Sequence, residues 1–203
     1  MSLEPLFEQL KHPNPNIRND AMLDIADQRD ESTIPKLMSI LDETDVTYRR
    51  AAVKTLGVIG AEAVPPIVHD LLHSDNATVR SSCAKALAQI SVNYPDIEFP
   101  IEGLQGLKLA IEDVNPVVHI ASIMALGTMG MPAFDILRDS LQTTENPAAA
   151  VAIVNALADL QDERSAQVLK HMSEDDTADP YVKESAASAL SRLEMIMNFK
   201  KDY

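Results

Sequence analysis

Tryptophan is absent from this chain, and Phe and Tyr number four each, so aromatic residues make up 4% of it. A core built without aromatics must come from Leu, Ile, Val, Ala and Met, which suits closely stacked helices better than large sheets. Glycine is also scarce, at six residues, and β-branched residues do not alternate over any useful length, which disfavours strands. A single cysteine, Cys83, excludes an intramolecular disulfide and a multi-thiolate metal site. Basic residues are in deficit: 17 Lys+Arg stand against 31 Asp+Glu, a formal charge of −14. That balance argues against nucleic acid and against anionic membrane surfaces, both of which need a basic face. No apolar run approaches the length of a membrane span. The opening MSLEPLFEQLKHP lacks the basic-then-apolar order of a secretory signal. These absences lead us to expect a cytoplasmic protein with no nucleic-acid partner and no membrane insertion.

What the chain does have is repetition. The stretch Tyr48–Gly60, YRRAAVKTLGVIG, returns as Ile17–Ala26, Val79–Ile90, Val118–Gly130, Ala149–Leu160 and Val182–Leu193. Its second-half apolar anchors are Ile25, Leu56, Leu87, Leu126, Leu157 and Leu190, at intervals of 31, 31, 39, 31 and 33 residues. Self-similarity at this period marks a solenoid, in which each unit buries its apolar face against the next. The expected fold is all-α, a right-handed α-solenoid of about six HEAT-like helical hairpins forming one domain over residues 1–203. The units fall at about 3–30, 31–60, 61–91, 101–130, 131–161 and 162–197.

Within the second unit, Ile34, Leu37, Met38, Ile40 and Leu41 mark a first helix, and a second runs from about Thr47 to Ile59. Tyr48, Ala52, Leu56 and Ile59 share one face of that second helix, and Gly60 is placed to stop it. Turns between paired helices carry Asn, Asp and Pro, as in NPN at 14–16, SDN at 74–76 and ENP at 145–147. Such residues cap free N–H groups and open helices without losing a hydrogen bond. Two stretches break the pattern. The long interval holds an inserted loop, 91–100, with Tyr94 before Pro95 and Ile97 and Phe99 between Pro95 and Pro100, and insertions emerge on one rim of a solenoid. It either takes part in recognition or is packed down as filler. The tail from Asn198 leaves the repeat, with Phe199 and Tyr203 available to cover the last apolar face.

Arg18, Arg49 and Arg80 stand 31 residues apart, near the starts of successive second helices. His119 and Lys183 continue the column imperfectly, and Arg50 and Lys54 flank it. One reading is a structural ladder, each Arg bonding a carbonyl or a turn carboxylate such as Asp45, Asp75 or Asp113. The other is a row of cations for ligand carboxylates, to which the planar guanidinium is suited. The candidate contact residues are therefore Arg49, Arg50, Arg80 and His119, with Tyr94 and Phe99 from the loop. No metal site is expected. His69 and His73 have helical spacing but no intervening glutamate of the H-E-x-x-H kind, and Glu174–Asp179 lacks the glycine and closing glutamate of a calcium loop. Cys83 sits in a small-residue core slot. No phosphate-cradling loop or nucleophile elbow is present, so no self-contained active site is expected and no catalytic residue is assigned.

The Val-Arg/Lys-x-x-Ala/Ser starts (Val79-Arg80, Val182-Lys183, with Tyr48-Arg49 and Ile17-Arg18) and the Ala-Leu pairs after them resemble HEAT repeats over essentially the whole chain. Tetratricopeptide and ankyrin repeats fit worse, lacking their Trp and T-P-L-H marks. Among HEAT-like proteins, VTYRRAAVKTLGVIG, ATVRSSCAKALAQI and VVHIASIMALGTMG resemble the cyanobacterial phycobilisome-lyase family, the E/F-type phycobilin lyases and their non-lyase relatives. The resemblance implies a protein-binding module acting on a phycobiliprotein or bilin in phycobilisome assembly or turnover. Its partner would be a phycobiliprotein subunit or a paralogous lyase subunit, and its ligand a transiently bound phycobilin. The alternative it admits is a non-catalytic scaffold or chaperone for iron–sulfur cluster or photosystem assembly.

Overall fold

The computed structural model describes residues 3–201, with Lys200 and Lys201 as backbone only. Every regular element among the described residues is helical. Six helix pairs follow one another: α1 (Glu4–Gln9) and α2 (Pro15–Gln28), α3 (Thr33–Ile40) and α4 (Val46–Ile59), α5 (Val64–His73) and α6 (Ala77–Asn93), α7 (Ile101–Ala110) and α8 (Pro116–Thr128), α9 (Phe134–Thr143) and α10 (Pro147–Asp159), α11 (Glu163–Glu174) and α12 (Pro180–Lys201). The chain is all-α and built of HEAT-like hairpins.

The second helices begin on one recurring device. Asn14, Asp45, Asn76, Asn115, Asn146 and Asp179 each accept a hydrogen bond from the N–H two residues on, at 2.8–3.0 Å. Each satisfies a donor that the first helical turn leaves free. The stops are less uniform. Gly60 ends α4 with φ of +85°, and Gly130, in the equivalent place after α8, has φ of +68°. Both lead into short 3-10 turns, Gly60–Ala63 and Met131–Ala133, that set the direction of the next first helix. A left-handed φ at each junction is what glycine supplies without strain.

The fold divides into two compact units, with the division after Ala121, inside α8. In the first unit the second helices α2, α4 and α6 lie side by side, with α1, α3 and α5 packed behind them. Leu10, Ile25, Leu37, Leu41, Leu56, Ile67 and Leu87 are fully buried there. Small residues permit the close approach: a Cβ added at Gly57 would stand 2.3 Å from Gln89 Cγ of α6. In the second unit α12 packs on α10 and α11, and α9 packs on α10, with Leu137, Leu157, Leu169 and Leu193 buried among them. Leu190 is half-buried rather than central, because Ala189 and Leu193 take the core positions of α12.

One expectation needs correction. The tail does not leave the repeat at Asn198, since α12 continues through Lys201, and Phe199 is 68% exposed rather than covering a face. Tyr203 lies outside the described residues. In addition, one stretch, Val46–His73, is by length and composition apolar enough to cross a membrane. It is not one straight helix: Gly60 divides it into α4 and α5, elements of adjacent hairpins. Its most apolar window is 56% buried in the protein.

Candidate binding face of the second helices

The arginine column forms a ladder. Arg18 Nη1 donates to the carbonyls of His12 and Pro13, Arg49 Nη1 to that of Glu43, and Arg80 Nη1 to that of Ser74 at 2.8 Å. In each case the guanidinium reaches back six residues and ties the turn to the second helix. Arg80 does more, because its Nε and Nη2 also clasp both carboxylate oxygens of Asp113, in the turn before α8, at 2.7 and 3.0 Å. The two side chains are only 15% and 11% exposed. The Arg80 bonds hold the Asp113 carboxyl below its ordinary pKa, and Asp113 in turn raises that of Arg80. His119, next in the column, is half-buried, and its buried Nε2 makes no hydrogen bond among the described residues.

The loop residues are also engaged. Tyr94 donates its hydroxyl to the Val58 carbonyl and lays its ring on Gly60; Phe99 lays its ring on Gly103. Both side chains are half-buried. Cys83 is buried, and burial pushes its thiol far above the usual range, which leaves it in the inert thiol form. Among the described residues no group of three or more His, Cys, Asp or Glu could hold a metal ion.

One helix position beyond the ladder the chemistry changes. On α4, Arg50 and Lys54 are exposed at i and i+4, hence on one face. Lys85 of α6 occupies the register of Lys54 in the next repeat and is exposed as well. Its pKa is lowered, first by desolvation and then by the charges of Arg49 and Arg50, so the cations of α4 and α6 feel one another. No hydrogen bond or ion pair joins Arg50, Lys54 or Lys85 to a carboxylate among the described residues. A groove of about 280 Å³ between α2 and α4 is lined by Arg18, Asn19, Met22, Thr47, Arg50 and Lys54. On α8 the register of Arg50 falls on Ile120, which is half-buried, and Val117 one turn earlier is 58% exposed. The second helices α4 and α6 thus carry cations with no carboxylate partner among the described residues, and the start of α8 carries apolar side chains.

Of the residues singled out in the sequence, Arg50 belongs to this cluster and Arg49 lies beside it, whereas Arg80 is held in its bonds to Asp113 and Ser74, and Tyr94 and Phe99 are held against Gly60 and Gly103. Lys85 stands outside that set. The repeat itself points to it, since Val53-Lys54-Thr55-Leu56 and Ala84-Lys85-Ala86-Leu87 place lysine at the same step.

The HEAT repeats family model matches residues 3–88 and 104–191, and the gap between the two matches contains the 94–100 loop. Phycocyanin operon protein Z of Pseudanabaena tenuis, itself uncharacterised, is 57% identical over 202 residues, covering all of both chains. The bilin biosynthesis protein CpeZ of a Synechococcus species is 33% identical, over 85% of this chain and 96% of its own. Among solved structures, the complex of CpcE and CpcF of phycocyanin lyase from a Nostoc species aligns with a TM-score of 0.51 at 20% identity, over 76% of this chain and 96% of that one. A designed armadillo repeat protein aligns with a TM-score of 0.50 at 18% identity, over 95% of this chain and all of its own. These two show a shared fold, while the family match and the two relatives carry the assignment: the chain belongs to the HEAT-repeat family and, within it, to the group of phycocyanin operon protein Z and the bilin biosynthesis protein CpeZ.

Proposed function

We propose that this chain is a cytoplasmic protein-binding module of phycobilisome assembly or turnover, which engages a phycobiliprotein subunit, or the bilin it carries, on the face formed by α4, α6 and the start of α8. The observation that carries this reading is the row Arg50, Lys54 and Lys85. In a chain of formal charge −14, three neighbouring cations without a carboxylate partner are a site for an external anion. A bilin presents propionate carboxylates beside an apolar conjugated chain, which suits cations next to Val117 and Ile120. The relatives named for bilin biosynthesis and the phycocyanin operon support the same chemistry. The role is binding rather than self-contained catalysis: the thiol of Cys83 is buried, and no residue is assigned to a covalent step. A paralogous lyase subunit is the other partner this reading admits.

The competing reading, a scaffold for iron–sulfur cluster or photosystem assembly without a small ligand, draws support from the ladder, since Arg49 and Arg80 are committed to internal bonds. A pull-down from cyanobacterial lysate, with mass spectrometry and absorbance of the eluate, separates the two. Phycobiliprotein chains or visible bilin absorption, lost in the triple variant Arg50→Glu, Lys54→Glu, Lys85→Glu, would support the proposal. A colourless eluate holding only iron–sulfur or photosystem assembly proteins would reject it.

A further inference from the structure

We infer that the cleft beneath the 94–100 loop is a docking site for a protein segment that offers one apolar side chain flanked by lysine or arginine. The inference is independent of the basic row and uses none of its residues. The cleft lies within the first unit, between the end of α4 and the loop after α6, with Ile59, Ile90, Ile97 and Phe99 as apolar walls.

The loop over it is fixed at both ends. A Cβ at Gly60 would stand 2.8 Å from Tyr94 Cε2, and one at Gly103 would stand 2.5 Å from Phe99 Cε1, so each ring seats where only glycine leaves room. Between these two anchors Ile97 is 61% exposed. A loop held at both ends presents Ile97 at little further cost in conformational entropy, which favours docking.

Size and charge select the occupant. The cleft encloses about 230 Å³, below the roughly 300–1,000 Å³ of pockets that take small ligands. It fits one side chain of leucine or phenylalanine size, the anchor of a peptide contact. The loop 94–100 contains Asp96 and Glu98, both exposed, and neither Lys nor Arg. The third carboxylate at the rim, Glu62, is already held by Arg29 through two bonds of 2.8 and 3.0 Å. Asp96 and Glu98 therefore leave the mouth negative, attracting basic flanks and repelling acidic ones.

The test uses the full chain, isotope-labelled at the isoleucine methyls and titrated with three acetylated, amidated tripeptides: Lys-Phe-Lys, Glu-Phe-Glu and Lys-Ala-Lys. Lys-Phe-Lys is expected to shift the Ile59, Ile90 and Ile97 methyls saturably, and the other two to bind at least about tenfold more weakly. Ile97→Lys should abolish the shifts. The double variant Asp96→Lys, Glu98→Lys should reverse the preference toward Glu-Phe-Glu, a gain that a misfolded protein could not show. The Arg50→Glu, Lys54→Glu, Lys85→Glu variant should leave the shifts intact, which separates this cleft from the proposed bilin face. Equal responses to all three peptides, or none, would overturn the inference. Shifts produced by diluting the free protein alone would assign the cleft to a second copy of the chain and overturn it equally.

Discussion

Adjacent residues on one helix turn take opposite roles here because of where each points. Arg49 reaches back to a carbonyl in its own turn, while Arg50, one step on, faces solvent with no carboxylate partner among the described residues. The sequence shows the column but cannot show which member is committed, because that depends on side-chain reach across the turn. Arg80 is the most committed, and its clasp on Asp113 yields a prediction with a definite pH signature. Asp113 has a folded pKa below its ordinary value. Its carboxylate therefore stabilises the fold above the unfolded pKa, near 3.9, and that contribution is lost as pH falls through the folded value. Asp113→Asn should cost about 1.5 kcal/mol at neutral pH, the scale of a charge-assisted hydrogen bond. In urea denaturation at a series of pH values, the gap between wild type and variant should narrow below about pH 4 and close in stronger acid. A gap that persists unchanged in strong acid would mean that Asp113 acts through packing rather than charge. Arg50→Ala, by contrast, should change stability by no more than about 0.5 kcal/mol.

At the scale of elements, most of the architecture was legible. The recurring apolar anchors located the second helices, and the Asn, Asp and Pro of the turns located their starts; the caps at Asn76 and Asn146 accept the expected bonds. The path of the inserted loop was not legible. Its aromatic residues suggested either recognition or filler, and the choice rests on two glycines far off in sequence from the rings or unmarked by any motif, Gly60 under Tyr94 and Gly103 under Phe99. The two stop glycines make this testable. Gly130 has open space where a Cβ would go, so Gly130→Ala meets only the strain of a left-handed φ. Gly60→Ala meets the same kind of strain and also the Tyr94 ring. The first substitution should cost on the order of 1–2 kcal/mol and the second clearly more, about 3 kcal/mol. Thermal melts of both variants, and of Gly60→Ala combined with Tyr94→Ala, would measure the difference. If removing the ring does not recover part of the Gly60→Ala loss, the seat of Tyr94 on Gly60 is not what fixes the loop.

Across the whole molecule the repeat runs evenly through the point where the contacts divide. The irregular interval lies at 91–100, yet the two units part inside α8, after Ala121. A periodic pattern records which faces are apolar but not how densely each hairpin packs on the next, so the division left no mark in the sequence. Charge, by contrast, is read directly, and it sets two effects in opposition. The formal charge of −14 repels itself, whereas exposed pairs such as Lys11–Glu8 and Arg138–Asp135 attract locally. Salt weakens both. Exposed pairs contribute about 0–1 kcal/mol each at most, so the long-range repulsion should dominate the salt response. Raising sodium chloride from about 10 mM to about 150 mM shortens the Debye length from roughly 30 Å to roughly 8 Å, and Tm should rise over that interval. Reversing Arg50, Lys54 and Lys85 to glutamate adds negative charge where cations now stand, so the triple variant should start lower and climb more steeply with salt. A wild-type Tm that falls with salt would show that local pairs outweigh the net charge. A triple variant with an unchanged slope would show that the three cations are spaced too widely to act as one patch, and the case for a shared anion site would fall with it.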